Sequence, residues 1–305
     1  MPDRRLHRGP HPEDAELFSP AHLDRLREAT SDLCWLASRG YAEVSSLKLV
    51  GDRYHLTARQ RLAVARCACS EAQLQRRLEH EVRLTKADLP PAPHSQKATT
   101  EAFAGPAIPA ATGLTGSRAS EAGILPGGLL DAGGPSDAIP EADTAEGLAI
   151  RPGMLAGQTV WIDGYNLLTT VEAALAGGVI LHARDGTFRD MASMHGTFRK
   201  VAETEPALET IGQALAELAP AECVWYLDRP VSNSGRLKQW IEQTAQKHGW
   251  PWRVELVANP DPILWSSPHI VASADSVILD HCQRWLNLAR IVIQQFIPGA
   301  WVVQL

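Results

Sequence analysis

The sequence lacks the features that mark secreted, membrane-spanning and zinc-finger proteins. None of its five cysteines forms a CxxC pair or has metal-finger spacing: Cys34, Cys67, Cys69, Cys223 and Cys282. An odd number of cysteines without such a framework is typical of reduced thiols in the cytoplasm. Residues 1–12 contain no apolar segment of the kind that a signal peptide requires, and no apolar run reaches the ~18 residues of a membrane span. We therefore expect a cytoplasmic protein with no membrane partner.

The sequence also lacks a strongly basic segment. Its formal net charge is −6, and the excess of acids is greatest in residues 91–150. A tight, non-specific binder of duplex nucleic acid needs a dense field of Lys and Arg to neutralise phosphates, so that class of protein is not indicated. A nucleic-acid substrate stays compatible with the sequence, because metal ions neutralise the acids of a nuclease active site.

Three segments differ in pattern, and 305 residues are enough for two domains. Residues 20–86 carry apolar residues at spacings of three and four, which predicts a small all-helical domain. Residues 87–157 are rich in Ala, Gly, Pro, Ser and Thr and contain a single aromatic residue, Phe103. Because so little apolar bulk cannot offset the entropy of ordering the chain, we predict a flexible, disordered linker there.

In residues 158–305, short apolar segments alternate with stretches of helical periodicity. The predicted strands are 159–163, 179–182, 223–228, 253–257, 290–293 and 301–303, and the predicted helices are 206–218, 235–247 and 275–286. This alternation is typical of an α/β domain with a mostly parallel central sheet that is covered on both faces. In such sheets, ligands bind beyond the carboxyl ends of the strands.

Aspartates follow several of these predicted strands. Asp163 and Asp228 end two buried strands, and Asp275 opens the last predicted helix. Asp185 and Asp190 follow the second strand. Parallel strands present their carboxyl ends at one edge, where such carboxylates would raise one another's pKa unless a cation neutralised them. Oxygen ligands select Mg²⁺ or Mn²⁺, so the pattern predicts metal-assisted hydrolysis of a phosphodiester.

Each acid also has an ordinary structural explanation. Asp163, which precedes a glycine, and Asp228 suit turns at strand ends. Asp275 suits the first turn of a helix, where the macrodipole stabilises a negative charge. Asp280 lies about 140° round that helix and is expected to face elsewhere. Asp261, in Asn-Pro-Asp-Pro, is interpreted as a loop acid.

A polar turn, Ser-Asn-Ser-Gly at residues 232–235, lies between a predicted strand and a predicted helix. A hydroxyl in this place suits the helix N-cap. The free N–H groups of the same turn also suit a phosphate. Ser232, Ser234 and Gly235 are therefore candidate substrate-binding residues.

The segment Val-Trp-Ile-Asp-Gly-Tyr-Asn-Leu-Leu resembles the opening strand of PIN-like and NYN-type nucleases. The resemblance implies a PIN-like, Rossmann-like three-layer fold in which Asp163 is the first metal ligand and Asn166 supports the site. A second segment, Ser-Ala-Asp-Ser-Val-Ile-Leu, resembles the PIN helix whose leading aspartate, here Asp275, completes the metal site. Asp228 falls where that family has an acid after a central strand.

The N-terminal part resembles domain of unknown function 434, in a family where a PIN-like domain follows. The residues that carry this resemblance are Arg39-Gly-Tyr41 and residues 50–56, followed by Arg59 and Arg61. For this module we consider a helical packing or dimerisation unit, which allows a homodimer, and a helix-turn-helix reader of nucleic acid. The sequence does not identify a protein partner.

The sequence departs from these resemblances in two places. Arg184 takes the first of two positions where the family with domain of unknown function 434 shows adjacent acids before the glycine, and residues 291–295 offer amides where PIN nucleases carry a further acid. These departures motivate an alternative function, a catalytically weak or inactive RNA-binding or adaptor protein. A phosphatase of the haloacid-dehalogenase kind is disfavoured, because Tyr165 occupies the position of its second aspartate.

The leading hypothesis is a ribonuclease that depends on Mg²⁺ or Mn²⁺. In this hypothesis Asp163, Asp228 and Asp275 bind the metal, and Asp185 assists catalysis. The predicted substrate-binding residues are Asn166, Asp190, Ser232, Ser234 and Gly235.

Overall fold

The computed structural model describes residues 7–82, 152–192 and 196–305. In these ranges no helix is long and apolar enough to cross a membrane. The N-terminal part is helical, as its apolar spacing predicts, with α1 Asp14–Leu17, α2 Pro20–Ser38, α3 Glu43–Arg53, α4 Ala58–Cys67 and α5 Glu71–His80. Thr57 and Ser70 begin α4 and α5 with capping boxes, so both helices start where their sequences specify.

The C-terminal part alternates strands and helices. Its strands are β1 Thr159–Asp163, β2 Val179–His182, β3 Phe188–Asp190, β4 Glu222–Asp228, β5 Trp252–Val257, β6 Ile270–Ala272, β7 Trp285–Leu286 and β8 Trp301–Gln304. Its helices are α6 Gly164–Leu175, α7 Thr204–Leu218, α8 Ser234–His248, α9 Asp261–Trp265, α10 Ser276–Leu279 and α11 Leu288–Phe296. The predicted α/β class is confirmed.

The strands form two sheets. The main sheet has the order β5-β4-β1-β6-β7, and every neighbouring pair in it is parallel. The second sheet has the order β3-β2-β8, in which β2 pairs antiparallel with β3 and parallel with β8. From the central β1 the chain builds β4 and β5 on one side and then β6 and β7 on the other. The carboxyl ends of β1 and β6 therefore flank a topological switch point, the usual ligand crevice of such sheets.

Strand β1 shows why the main sheet is covered on both faces. Val160 and Ile162 point to one face, where they pack with α6, α7, α8 and α11. Trp161 points to the other face, where α9 and α10 lie. Successive residues of a strand point to opposite faces, so a strand that is apolar at every position must be buried on both sides.

The second sheet joins the two parts of the chain. Leu181 and Val303 on one of its faces share a core with the helices α2, α3 and α4. Ile180 and Phe188 on the other face pack with α6 and α11. The N-terminal helices and the α/β part consequently belong to one compact unit. Most of the predicted linker, residues 87–151, lies outside the described residues.

The predicted helix over residues 275–286 is wrong beyond its first turn. Helix α10 ends at Leu279, and the chain then forms β7 at the edge of the main sheet. Contacts with α5 take the place of further helical hydrogen bonds. A ring nitrogen of His80 lies 2.9 Å from the carbonyl oxygen of Cys282, and Val82 N donates to Trp285 O at 2.7 Å.

The predicted strand over residues 290–293 is also wrong, because these residues lie in helix α11. A short buried apolar run has the same appearance in a helix and in a strand. The comparison of residues 291–295 with the last acidic strand of PIN nucleases therefore has no structural basis here. Helix α6, which follows β1 directly, was not among the predicted elements.

Gly212 in α7 permits a close contact with Trp250. A Cβ atom on Gly212 would lie 1.9 Å from the indole Cη2. We expect Gly212→Ala to displace the ring and to lower the free energy of unfolding by about 1–3 kcal/mol, measured by urea denaturation. Gly235→Ala is the matched control, because a Cβ there meets nothing within 4 Å and α8 should be unaffected or slightly stabilised. Equal stability of the two variants would contradict this packing.

Candidate functional site

The hydroxyl group of Ser273 links the carboxyl ends of β1 and β6 through hydrogen bonds. Ser273 Oγ donates to Asp163 Oδ2 at 2.8 Å and accepts a hydrogen bond from Asp275 N at 3.0 Å. The two strands pair in parallel up to Ile162 and Ala272, so the residues that follow them lie side by side. Ser273 therefore fixes the distance between the two parts of the chain that carry Asp163 and Asp275.

The Asp-Gly-Tyr-Asn segment after β1 is fixed by a second set of contacts. Asn166 Oδ1 accepts from Ala274 N at 2.9 Å, and the backbone of Asn166 favours the charged form of Asp163 by lowering its pKa. Gly164 allows the turn into α6, because a Cβ there would lie 2.6 Å from Leu227 Cδ2. Asn166 thus supports Asp163 and the chain before Asp275 at the same time.

Asp275 is the N-cap of α10, as the macrodipole interpretation predicts. Its Oδ1 accepts from Val277 N at 2.8 Å and from Ile278 N at 3.3 Å. Its Oδ2 has no hydrogen-bond partner among the residues that the structure describes, and the side chain is half-buried. One oxygen of Asp275 therefore orders the loop while the other is available to a ligand.

Asp163 and Asp275 oppose each other electrostatically. Burial raises the pKa of Asp163 to about 7; the negative charge of Asp275 acts in the same direction and the hydrogen bond from Ser273 acts in the opposite one. Holding two carboxylates this close costs free energy at neutral pH, and a cation between them relieves that cost.

Two further carboxylates extend this group along the carboxyl edge of the main sheet. The pKa of Asp261, at the start of α9, is raised by burial and by the charge of Asp275. The pKa of Asp228, at the end of β4, is raised by burial and by the charge of Asp261. The interpretation of Asp261 as a loop acid fails to predict its place in this group of carboxylates. Its position just after β5 is the signal that groups it with the other acids at strand ends.

The donor set suits some metal sites and not others. Within the described ranges, no three or more His, Cys, Asp or Glu side chains lie close enough together to hold a metal ion. That part of the chain therefore has no structural zinc or calcium site in which protein side chains supply most of the ligands. Asp163 and Asp275 fit Mg²⁺ or Mn²⁺ instead, because Mg²⁺ is usually bound by one or two carboxylates and keeps several waters for exchange with phosphate.

Asp185, predicted to assist catalysis, lies in the turn between β2 and β3 with both oxygens occupied. Oδ2 accepts from Arg77 Nη1 at 2.5 Å and from Arg189 Nη2 at 2.8 Å, and Oδ1 accepts from the backbone and the hydroxyl of Thr187. Burial acts to raise the pKa of Asp185, but the charges of Arg189 and Arg77 hold it below its usual value. These contacts favour a structural role, and we leave Asp185 out of the proposed metal site.

Asp190, predicted to bind substrate, is also occupied by neighbouring groups. Its Oδ2 accepts from the hydroxyls of Thr169 and Thr170 in α6, at 3.2 and 2.9 Å, and its Oδ1 accepts from Ala192 N. The residue is buried. Asp190 therefore anchors the chain after β3 to α6.

The turn at residues 232–235 has no side-chain cap. Asn233 is the N-cap of α8, but its Nδ2 donates to Phe198 O instead of the helix. Ser234 is buried and its hydroxyl donates to Arg229 O, whereas Ser232 and Gly235 are exposed. The predicted hydroxyl cap is therefore wrong. In the first turn of α8, Ser234 N donates to Val231 O and Arg236 N to Asn233 O, so among the described residues of this turn only Gly235 keeps its N–H for another acceptor.

The fold and this group of acids define an α/β protein with a candidate site at the carboxyl edge of a parallel sheet. Residues 25–80 match the family described as "Protein of unknown function (DUF434)", and residues 152–291 match the one described as "Domain of unknown function (DUF5616)". The first match confirms the resemblance of the N-terminal part to domain of unknown function 434.

One known protein is similar to this chain over part of the length of each. The uncharacterized protein MJ0935 of Methanocaldococcus jannaschii is 31% identical over 123 residues, which are 40% of this chain and 58% of that protein. The chain thus covers less than two thirds of this relative's length. No solved structure shows significant similarity.

The raised pKa of Asp163 predicts how stability depends on pH. The pKa rises from 3.8, its ordinary value, to about 7 on folding, so the stability contributed by protonated Asp163 is complete below about pH 4 and is lost as the pH rises through 7. Asp163→Asn keeps an acceptor for Ser273 and has no such loss. In metal-free buffer at pH 8 we expect this variant to exceed the wild type by about 1–2 kcal/mol, a value reduced for partial exposure.

Urea denaturation across pH 4 to 8 measures this difference. The gap between the two proteins should close towards pH 4, where Asp163 is protonated in the folded state. Parallel pH profiles of the wild type and Asp163→Asn would contradict the raised pKa.

Proposed function

We propose that the protein is a PIN-like, divalent-metal-dependent nuclease that hydrolyses phosphodiester bonds in RNA. One observation carries the proposal: Ser273 and Asn166 hold Asp163 beside Asp275, at a switch point of the sheet, in spite of their mutual repulsion. A divalent cation turns this unfavourable arrangement into a favourable one. The order of the main sheet around a central β1 supports the PIN-like assignment.

In this proposal Asp163 and the free Oδ2 of Asp275 hold Mg²⁺ or Mn²⁺. Asp228 and Asp261 lie along the same edge and add negative potential that retains the cation and its waters. When bound there, the ion would supply Lewis-acid chemistry, namely polarisation of a phosphoryl oxygen and a lowered pKa of a coordinated water. Asn166 and Ser273 act on the protein side, because they keep the two carboxylates at a fixed separation.

The turn before α8 supports phosphate binding in the same proposal. It follows β4 and Asp228, so it lies at the carboxyl edge that carries the acids. The N–H of Gly235 has no acceptor among the described residues, and the helix dipole favours an anion at this end. Ser232 and Gly235 are exposed there. RNA as the substrate rests on the resemblance to PIN-like and NYN-type nucleases.

Cleavage of labelled single-stranded RNA in the presence of Mn²⁺ tests the proposal. We expect Asp163→Asn and Asp275→Asn each to reduce the rate by at least about 100-fold, equivalent to about 3 kcal/mol of lost transition-state stabilisation. Asn is also a good N-cap residue, so Asp275→Asn should keep α10 folded. Asp24→Asn in α2 is the matched control, because its side chain is 90% exposed and its loss should leave the rate unchanged.

The result also decides between nuclease and adaptor. The adaptor alternative is favoured by the limited set of close metal ligands in the described residues. It predicts RNA binding without turnover. Cleavage that persists in both aspartate variants would show that the activity resides elsewhere, and wild-type protein that binds RNA without cleaving it would contradict the nuclease.

A further inference from the structure

The loop that carries Asp275, residues 274–280, is held by two arginines from outside it. Arg189 Nε donates to Ala274 O at 2.8 Å, and Arg77 Nη2 donates to Ser276 O at 3.3 Å. These two carbonyl groups flank Asp275 directly. The position of the Asp275 backbone is therefore set from both sides by guanidinium groups.

Asp185 joins these two guanidinium groups into one network. It accepts hydrogen bonds from Arg77 and Arg189 through the same oxygen, Oδ2. Arg77 is 1% exposed and Asp185 2% exposed, so the ion pair is shielded from water. Breaking such a pair would leave a buried charge without a partner, which is strongly unfavourable. The side chains of Arg77 and Asp185 are therefore held in this geometry.

Helix α5 contacts the other end of the loop as well. Asp280, which follows α10, accepts from Arg77 Nε at 2.8 Å through Oδ1 and from Gln73 Nε2 at 2.6 Å through Oδ2. Arg76 Nη1 donates to the carbonyl oxygen of Asp280 at 3.0 Å. Helix α10 spans only Ser276–Leu279, and one turn of helix is not stable by itself. Its geometry therefore depends on α5.

Helix α5 is in turn tied to the main sheet. Trp285 in β7 is fully buried, and its Nε1 donates to Arg77 O at 2.7 Å. Val82, just after α5, donates its N–H to Trp285 O. Hydrogen bonds thus hold both the backbone and the side chain of Arg77. Arg77 therefore fixes the position of the Asp275 loop relative to the main sheet.

We propose that Arg77 is a positioning residue of the metal site, through which the N-terminal helical part holds Asp275 towards Asp163. This inference rests on the proposed function. Arg77 lies in the segment that matches one family and Asp275 in the segment that matches the other, and the hydrogen bonds of Arg77 to Ser276 and Asp280 join the two segments. Asp185 serves as the counter-ion that makes the burial of Arg77 possible.

Arg77→Lys in the full-length chain tests this inference. Lys keeps the charge but cannot donate at once to Asp185, Asp280 and Ser276, because it lacks the guanidinium fork. Arg59→Lys is the matched control: Arg59 pairs with the buried Asp14 inside the N-terminal helices and is not among the arginines that contact the Asp275 loop.

The first readout is hydrogen exchange in metal-free protein. The amides of Val277 and Ile278 report on the cap that Asp275 forms. We expect Arg77→Lys to accelerate their exchange at least 10-fold and Arg59→Lys to leave it unchanged, even where both variants lose similar stability to urea. Unchanged exchange at these two amides in folded Arg77→Lys would overturn the inference, whatever the protein does with metal.

The second readout is Mn²⁺ affinity, measured from the electron paramagnetic resonance signal of free Mn²⁺. We expect Arg77→Lys to bind Mn²⁺ at least 10-fold more weakly than the wild type, and Arg59→Lys to bind equally well. Wild-type protein that does not bind Mn²⁺ would contradict the proposed function but not the exchange result. Equal affinity of the wild type and Arg77→Lys would overturn the inference.

A milder variant covers the case in which Arg77→Lys does not fold. Asp280→Asn keeps the pair of Arg77 with Asp185 and removes the negative charge that follows α10. We expect intermediate effects, with exchange of the Val277 and Ile278 amides about 3-fold faster. Wild-type exchange and wild-type Mn²⁺ affinity in this variant would overturn the proposed role of α5.

Discussion

The buried contact of Asp185 with Arg77 and Arg189 is the interaction on which most of the structure depends. It brings together α5 of the N-terminal part, the turn of the second sheet and the loop after β6. Removal of one partner from a buried pair of this kind costs about 3–5 kcal/mol, because the remaining charge has no counter-ion. The N-terminal helices are therefore part of the framework of the α/β unit.

The candidate site depends on the same framework in a second way. Asp163 and Asp275 repel each other, so they stay close only where the surrounding contacts fix them. Ser273 and Asn166 supply these contacts from the two strand ends, and Arg77 supplies them through the backbone of the Asp275 loop. This arrangement is electrostatically unfavourable at neutral pH, and a cation in the proposed metal site would relieve the repulsion. Such preorganisation is a general property of catalytic sites.

The sequence predicted the parts of the structure that have local signals. Alternating apolar segments indicate the α/β class, and apolar spacings of three and four indicate the helices of the N-terminal part. Asp163 ends a predicted strand and Asp275 opens a predicted helix, and both lie in segments that resemble PIN-like nucleases, so local sequence is enough to single them out. No local pattern predicts the distance between Asp163 and Asp275, because it is set by hydrogen bonds of Ser273 and Asn166 between parts of the chain that are far apart in sequence.

The predictions that the structure does not support concern features that depend on contacts between distant parts of the chain. The role of Asp185 depends on Arg77, more than a hundred residues earlier in the chain, and no spacing in the sequence shows that contact. The apolar residues of α11 are buried on a helix as they would be in a strand, so their pattern did not distinguish the two. Asp261 has an ordinary loop context, and it comes near Asp275 because α9 packs beside α10 and β1, a contact that no local pattern shows.

Anomalous diffraction from a crystal of the full-length protein soaked in Mn²⁺ tests the central claim most directly. The account predicts an anomalous peak beside the carboxylates of Asp163 and Asp275, which would hold the ion. It also predicts that Asp185 keeps its contacts with Arg77 and Arg189 in the same crystal. No peak at these two aspartates, or a peak at Asp185 in place of the arginines, would contradict it.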